Sequence, residues 1–135
     1  MKIVNGTLDD IMGNIELIRT IPKKANITES EIKERLQDRK FGVKLATEAG
    51  RVEGIGVWYE DEESLYLWLG AVRNPSQGLG SKILEEIGKE STQDRWYAKI
   101  DEKDPRTYAH LRKFGFKAYR QEEGVLWMER ILSPS

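Results

Sequence analysis

The run from Leu69 through Gly70, Ala71, Val72, Arg73, Asn74, Pro75, Ser76 and Gln77 to Gly78, Leu79, Gly80, Ser81 and Lys82 is where residue types and spacing bear most directly on chemistry. It reads as an apolar strand, a loop over 73–77, and a helix striped by Leu79, Ile83, Leu84 and Ile87. Glycines at 78 and 80 let backbone approach a phosphate closely. The unpaired amides of the helix's first turn, at the positive end of its dipole, attract an anion. By construction this is a pyrophosphate cradle, although two glycines ahead of a helix are also ordinary turn chemistry. No Gly-Lys-Ser/Thr follows, which argues against a lysine-bearing nucleotide loop, and no third glycine completes a dinucleotide fingerprint at Ile83 or Leu84.

Other reactive groups are few. The chain has no cysteine, which removes thiolate nucleophiles, disulfides and Cys-built zinc or iron–sulfur sites. His110 is its single histidine, so neither a poly-His metal site nor a His-paired triad is expected, and no metal is expected at all. The apolar strand Leu65 to Val72 contains no acid, leaving Glu60 to Glu63 before it and Asp101, Glu102 and Asp104 after the next strand as candidate bases. Solvated charge runs are usually only that. Trp58, Trp68, Trp96 and Trp127 could line an acceptor pocket, but aromatics on strands are first of all core.

The elements that must position these groups fit one domain over residues 1–135. With 22 Lys+Arg against 23 Asp+Glu there is no global basic field for nucleic acid, and no apolar stretch approaches the ~20 residues of a membrane span. The reading is of a soluble, unprocessed, cytoplasmic protein, monomeric or homodimeric, without nucleic-acid or membrane partners. Residues 2–7 suggest a strand, and Ile11, Ile15 and Ile18 share a helical face. Pro22 breaks that helix. Thr28-Glu29-Ser30-Glu31 has the form of a capping box opening a second helix to about Arg39. Strands over 41–48 and 52–60 form a hairpin punctuated by Gly50-Arg51, with Gly54 and Gly56 in its second arm asking for a bulge, close packing or a ligand. The run Glu60 to Glu63 forms the next solvated turn. The helix from Leu79 ends near Gly88, and a strand follows over 95–100. Asp104-Pro105 starts a last helix that Gly115 closes, and strands over 116–120 and 124–132 complete a terminal hairpin. The order β-α-α-β-β-β-α-β-α-β-β argues a mixed sheet with helices on both faces.

Strand, glycine loop and helix over 69–84 resemble the acyl-CoA-binding motif of GNAT-superfamily acetyltransferases, written Gln/Arg-x-x-Gly-x-Gly/Ala. Gly78-Leu79-Gly80-Ser81-Lys82-Ile83-Leu84 matches its second half. Pro75 stands where Gln or Arg is usual, and the stretch from Val72 to Gly78 is shorter than the family's. Residues 48–57 resemble the third-strand hairpin, Leu111-Arg112-Lys113-Phe114-Gly115-Phe116 the Leu-Tyr-x-Lys-x-Gly-Phe segment, and 125–129 the closing strand, so the likeness extends over nearly the whole chain. It implies an α/β (α+β) fold: a mixed, mostly antiparallel twisted sheet of about seven strands with helices on both faces. It further implies an acetyl-CoA-dependent N-acetyltransferase acting on a primary amine, with a non-catalytic acyl-CoA-binding module as the alternative. On this resemblance the cofactor contacts fall on Ala71, Val72, Arg73, Asn74, Gln77, Gly78, Leu79, Gly80, Ser81, Lys82 and Asp104, the last standing where an Asn often contacts pantetheine. Leu111 occupies the position of the Tyr proposed to protonate the departing thiolate. Tyr108, one helical turn earlier, is the catalytic candidate that could substitute, or is simply core.

Overall fold

A computed structural model describes residues 1–75 and 78–131. The chain runs β1 (Lys2–Asn5), α1 (Leu8–Gly13), α2 (Ile15–Ile18), α3 (Glu29–Leu36), β2 (Lys40–Glu48), β3 (Arg51–Glu60), β4 (Ser64–Val72), α4 (Leu79–Glu90), β5 (Arg95–Asp101), α5 (Pro105–Lys113), β6 (Lys117–Glu122) and β7 (Val125–Ile131). One seven-stranded sheet has the order β1-β2-β3-β4-β5-β7-β6. Every neighbouring pair is antiparallel except β4 with β5. That pair is joined through α4, the crossover a parallel connection requires. The expected mixed, mostly antiparallel sheet is what the chain forms.

Local chemistry sets the element ends. Thr7 and Asp10 form a capping box that ends β1 early and starts α1. Asn14 then breaks the expected single helix in two, its side-chain amide donating to the Asp10 carbonyl at 2.7 Å. The second capping box is Thr28 with Glu31, as its spacing predicts, but α3 stops at Leu36, ahead of Asp38 with φ +58°. Ala49 and Gly50, with φ of +51° and +77°, make the two-residue turn between β2 and β3, one position before the expected break. Gly88 does not end α4, which continues to Glu90; its bare Cα instead lies against the Trp96 ring. Asp104 caps α5 as predicted, and Gly115 follows it at φ +98°, with Phe116 N–H reaching back to the Leu111 carbonyl.

Two cores lie on opposite faces of the sheet. On one, α1, α2 and α3 place Ile11, Ile18 and Ile32 over Val43, Ile55 and Val57. On the other, α4 and α5 place Ile83, Ile87 and Leu111 over Trp58, Leu65, Trp96 and Met128. Gly54 and Gly56 serve that second face: a Cβ on Gly56 would stand 2.7 Å from Ile83 Cγ2, and one on Gly54 3.1 Å from Ile83 Cδ1. Close helix approach explains both glycines, and a bulge at Glu53, where the β2–β3 register slips, adjoins Gly54. No helix among the described residues is long and apolar enough to cross a membrane.

Candidate functional site

The parallel pairing of β4 with β5 runs from Ser64↔Arg95 to Leu67↔Ala98 and stops there, although the strands continue to Val72 and Asp101. A bulge provides the local cause. In the β3–β4 register Val57 pairs Leu69 and Trp58 pairs Leu67, so Trp68 is an extra residue on β4. A bulge bends its strand and re-aims it. Trp68 and Leu69, consecutive in sequence, consequently both face the α1–α3 core, and the alternation of β4 is reset from there on. From Trp68 to Val72 the β5-side edge of β4 has no strand beside it, and this open wedge leads directly into α4.

Ala71 and Val72 lie on that open stretch, half-buried on opposite faces of the sheet. Arg73 turns back onto β3: its N–H donates to the Glu53 carbonyl and its Nε to the Val52 carbonyl at 2.7 Å. Arg73 thus anchors the loop exit through both backbone and side chain. Asn74 is exposed, and Gln77 lies outside the described residues. Gly78 is the N-cap of α4 in the left-handed region, φ +68°, and offers no side-chain cap to the helix. The first intrahelical bond, Lys82 N–H to the Gly78 carbonyl, is long at 3.4 Å. Leu79 is in the core, Ser81 is half-buried and Lys82 exposed. These residues fit a phosphate group: amides without a side-chain cap, a cap position that needs glycine, and two polar side chains in the first turn.

Gly80 has a different reason to be glycine. A Cβ there would stand 2.9 Å from His110 Nε2, so the first turn of α4 packs directly on α5. Burial, with Lys113 adding to it, holds the His110 imidazole below its usual value, so its neutral form is favoured. Asp104 keeps both carboxylate oxygens on Thr107, accepting from its N–H at 3.1 Å and its hydroxyl at 2.6 Å. Tyr108 is 38% exposed, so the alternative that it is core does not hold. Leu111, 5% exposed, is the core residue of that helix.

Five of the candidate bases, Glu60, Asp61, Asp101, Glu102 and Asp104, have structural partners. Glu60 is paired with Lys40 at 2.8 Å and accepts from Ser91 Oγ, so it is a buried strand end rather than part of a solvated turn. Asp61 accepts from the amides of Glu63 and Ser64. This acidic run stands at the start of the 9-residue β4, about 13 Å of strand before the wedge opens at Trp68 and about 25 Å from the strand's far end at Val72. Asp101 accepts from Lys103 N–H and faces Lys23, while Glu102 accepts from Gln121.

The four tryptophans divide between the faces. Trp58 and Trp96 are core beneath α4. Trp68 lies under the Arg35 guanidinium, 5.2 Å from its ring centre, and Trp127 lies under Lys99 and Arg120. Tyr66 stacks on Tyr97 at 4.7 Å and meets Tyr59 edge-on at 5.1 Å. Burial raises the pKa of both Tyr66 and Tyr97, keeping their hydroxyls protonated. Sequence reasoning missed this aromatic floor and the bulge beside it: a β-bulge leaves no fixed residue signature, and the register slip is set by pairing with β3.

No protein-family model and no curated protein matches the chain. Solved structures do. A ribosomal-protein-alanine N-acetyltransferase from Brucella melitensis superposes with a TM-score of 0.74 at 19% identity, over 98% of this chain and 100% of that one. A GNAT family acetyltransferase from Elizabethkingia anophelis, with acetyl-CoA bound, gives 0.75 at 16% identity over 97% of both chains. A PaiA N-acetyltransferase from Thermoplasma acidophilum, in complex with coenzyme A, gives 0.74 at 18% over 97% of this chain and 99% of that one. With its parting β4–β5 pair and an α4 that starts from the glycine loop, this chain has the fold of the GNAT acetyltransferases.

Proposed function

We propose that the protein is an N-acetyltransferase that moves an acetyl group from acetyl-CoA to a primary amine. The observation that carries this reading is the wedge beyond Leu67↔Ala98, where β4 presents an unpaired edge that ends at the glycine-capped start of α4. Backbone amides of Leu79, Gly80 and Ser81, with the Ser81 and Lys82 side chains, hold the pyrophosphate in this reading, and Arg73 fixes the loop that leads to them. Asn74 lies on the same loop. Asp104 holds the start of α5 through Thr107, so its part is to position that helix beside the pantetheine arm.

Acetyl-CoA, when bound, supplies an activated acetyl carbonyl. Arg73 N–H bonds to β3, so strand alternation turns the Ala71 N–H to β3 as well and the Val72 N–H to the open edge. In this reading the Val72 amide donates to the oxygen on which charge develops. The attacking amine must be neutral, and an alkyl ammonium near pKa ~10.4 must first lose its proton. With the acids near the wedge tied to other partners, an ordered water is the proton's first acceptor. The C–N bond forms as the C–S bond breaks, the nitrogen gives a second proton to water, and the Tyr108 hydroxyl, exposed on α5, gives its proton to the sulfur and regains one from solvent.

Thermal stabilisation by acetyl-CoA, compared with an adenosine nucleotide that lacks pantetheine, tests the cofactor site. A ligand at 100 times its Kd adds about 2.7 kcal/mol. Amine-dependent release of free thiol tests transfer; absence of any stabilisation at millimolar acetyl-CoA would overturn the reading. A second reading, a CoA-binding module without transfer, is favoured by Leu111: buried in the core, it brings no hydroxyl to the position where the family's Tyr is expected. Stabilisation without thiol release would select it.

A further inference from the structure

His110 is the chain's only histidine, and its Nε2 stands 2.9 Å from where a Cβ would lie on Gly80. Glycine at 80 therefore leaves the ring nitrogen in the space that a side chain would fill. Gly80 is the second residue of α4, so the imidazole borders the turn whose amides, at Leu79, Gly80 and Ser81, precede the first intrahelical bond from Lys82. The ring is half-buried, and neither of its nitrogens has a hydrogen-bond partner among the described residues. Packing of α5 on α4 thus brings an unused titratable group to the turn that the acetyl-transfer reading assigns to the pyrophosphate.

The charged groups on the surrounding elements are mainly cations. Lys82 stands on the same turn of α4, Arg106 and Lys113 lie one turn to either side on α5, and Arg130 of β7 lies over Phe114 at the end of α5. Of the acids on these helices, Asp104 is held by Thr107, Glu86 by Lys89, and Glu85 is exposed further along α4. An imidazolium in the free protein would face these cations and the positive end of α4 with no anion beside it. Burial and the Lys113 charge act in the same direction and favour the neutral ring. A bound pyrophosphate reverses that balance, because it brings negative charge to the same turn.

We propose that His110 is a further phosphate-binding residue of the CoA site, taking up one proton as the pyrophosphate docks on α4 and donating it from Nε2 as a hydrogen bond. CoA is therefore held more tightly in mildly acidic than in alkaline solution. The sign follows from reciprocity: the factor by which the pyrophosphate raises the ring's affinity for a proton is the factor by which the proton raises affinity for CoA. Affinity climbs as pH falls through the midpoint of the complex and levels off below that of the free protein. The assignment rests on the acetyl-transfer reading and gives its cofactor site a regulation by pH; the test separates the two.

With one histidine in the chain, the imidazole C–H resonances of the whole protein in proton NMR report His110 alone. A pH titration of the free protein, of its CoA complex and of its complex with dephospho-CoA gives three midpoints. Dephospho-CoA lacks the 3′-phosphate, a monoester that itself ionises at pH ~6. Both ligands are expected to raise the midpoint by about one unit, and affinity to rise toward about tenfold between pH ~8 and pH ~5.5. Calorimetric titration with dephospho-CoA at about pH 6.5, in two buffers of different ionisation enthalpy, is expected to show net proton uptake, and His110→Gln to abolish both the uptake and the pH dependence. An unchanged or lowered midpoint, a rise with CoA but not with dephospho-CoA, no net uptake, or the same pH dependence in His110→Gln would each overturn the assignment while leaving CoA binding and the transfer reading in place. No binding of either ligand at any pH would instead remove the transfer reading, and this assignment with it.

Discussion

His110 Nε2 stands 2.9 Å from where a Cβ would lie on Gly80, so the two helices that flank the wedge touch through a glycine and an imidazole. The Gly-x-Gly signal therefore has two physical causes. Gly78 is glycine because its backbone is left-handed, Gly80 because α5 is close. Neither cause requires a phosphate, yet together they give α4 a start without a side-chain cap.

That contact is measurable by a double-mutant cycle. Gly80→Ala gains helix propensity of about 1 kcal/mol but forces the His110 ring aside. In a His110→Ala background the clash is gone. Denaturant unfolding is expected to show Gly80→Ala better tolerated there by about 0.5–3 kcal/mol, the range for residues in direct contact. Additive effects of the two changes would mean that the ring moves away without cost.

His110 also gives the fold a pH dependence of known sign. Its folded pKa lies below the usual 6.5, through burial first and Lys113 second. The unfolded chain therefore binds that proton more tightly than the folded one, and stability rises with pH through this window. The protein is expected to be most stable above the unfolded value and to lose stability as pH falls through it toward the folded pKa. Melting temperatures between about pH 5.5 and 7.5, above most carboxylate titrations, are expected to fall on acidification in the natural chain and to flatten in His110→Gln. An equal slope in both proteins would place the titration elsewhere.

What the sequence revealed of this molecule follows from where each signal originates. Thr28 with Glu31, and Asp104 ahead of Pro105, declare helix starts through caps that reach three residues on, to Glu31 and Thr107, and both starts are where the spacing puts them. The strand, glycine loop and helix over 69–84 were equally legible, because left-handed backbone and an apolar stripe are local demands. The wedge was not. It comes from a register slip at Trp68 that depends on which residues of β3 pair with β4, and from β5, some thirty positions later in the chain. Likewise Arg35 and Trp68 are far apart in sequence, and only the packing of α3 beside β4 lays the guanidinium over the indole. Glu60 shows the opposite error: a run of acids reads as solvent-facing, while its first member is a buried strand end held by Lys40.

The cradle is best tested away from Gly80, where added bulk meets His110 before it meets a ligand. Ser81 is the third residue of α4, half-buried and in the turn whose amides lack a side-chain cap. Ser81→Glu places a carboxylate at the positive end of the helix, which stabilises by about 0.3–1 kcal/mol. The same charge repels a pyrophosphate. The variant is expected to melt no lower than the natural protein and yet to bind CoA at least about tenfold more weakly in calorimetric titration. Unchanged affinity in a folded variant would take the pyrophosphate off this turn.

Tyr108 and Leu111 stand one helical turn apart on α5, the first exposed and the second buried. Leu111 is packed among Ile83, Trp96 and Phe116 in the core beneath α4 and α5, and Leu111→Ala is expected to cost about 2–5 kcal/mol in denaturant unfolding. Tyr108 is exposed, so Tyr108→Phe removes only a hydroxyl and is expected to leave stability within about 0.5 kcal/mol. If that hydroxyl protonates the sulfur, turnover falls by about 100-fold while CoA affinity is kept, which is the signature of a group acting only in the transition state. A Tyr108→Phe protein with full turnover would move the proton source to solvent, and Leu111→Tyr would then be the informative gain-of-function variant. Restoring the hydroxyl at the family's position without loss of fold is expected to raise thiol release only if the geometry of α5 still points that residue at the wedge.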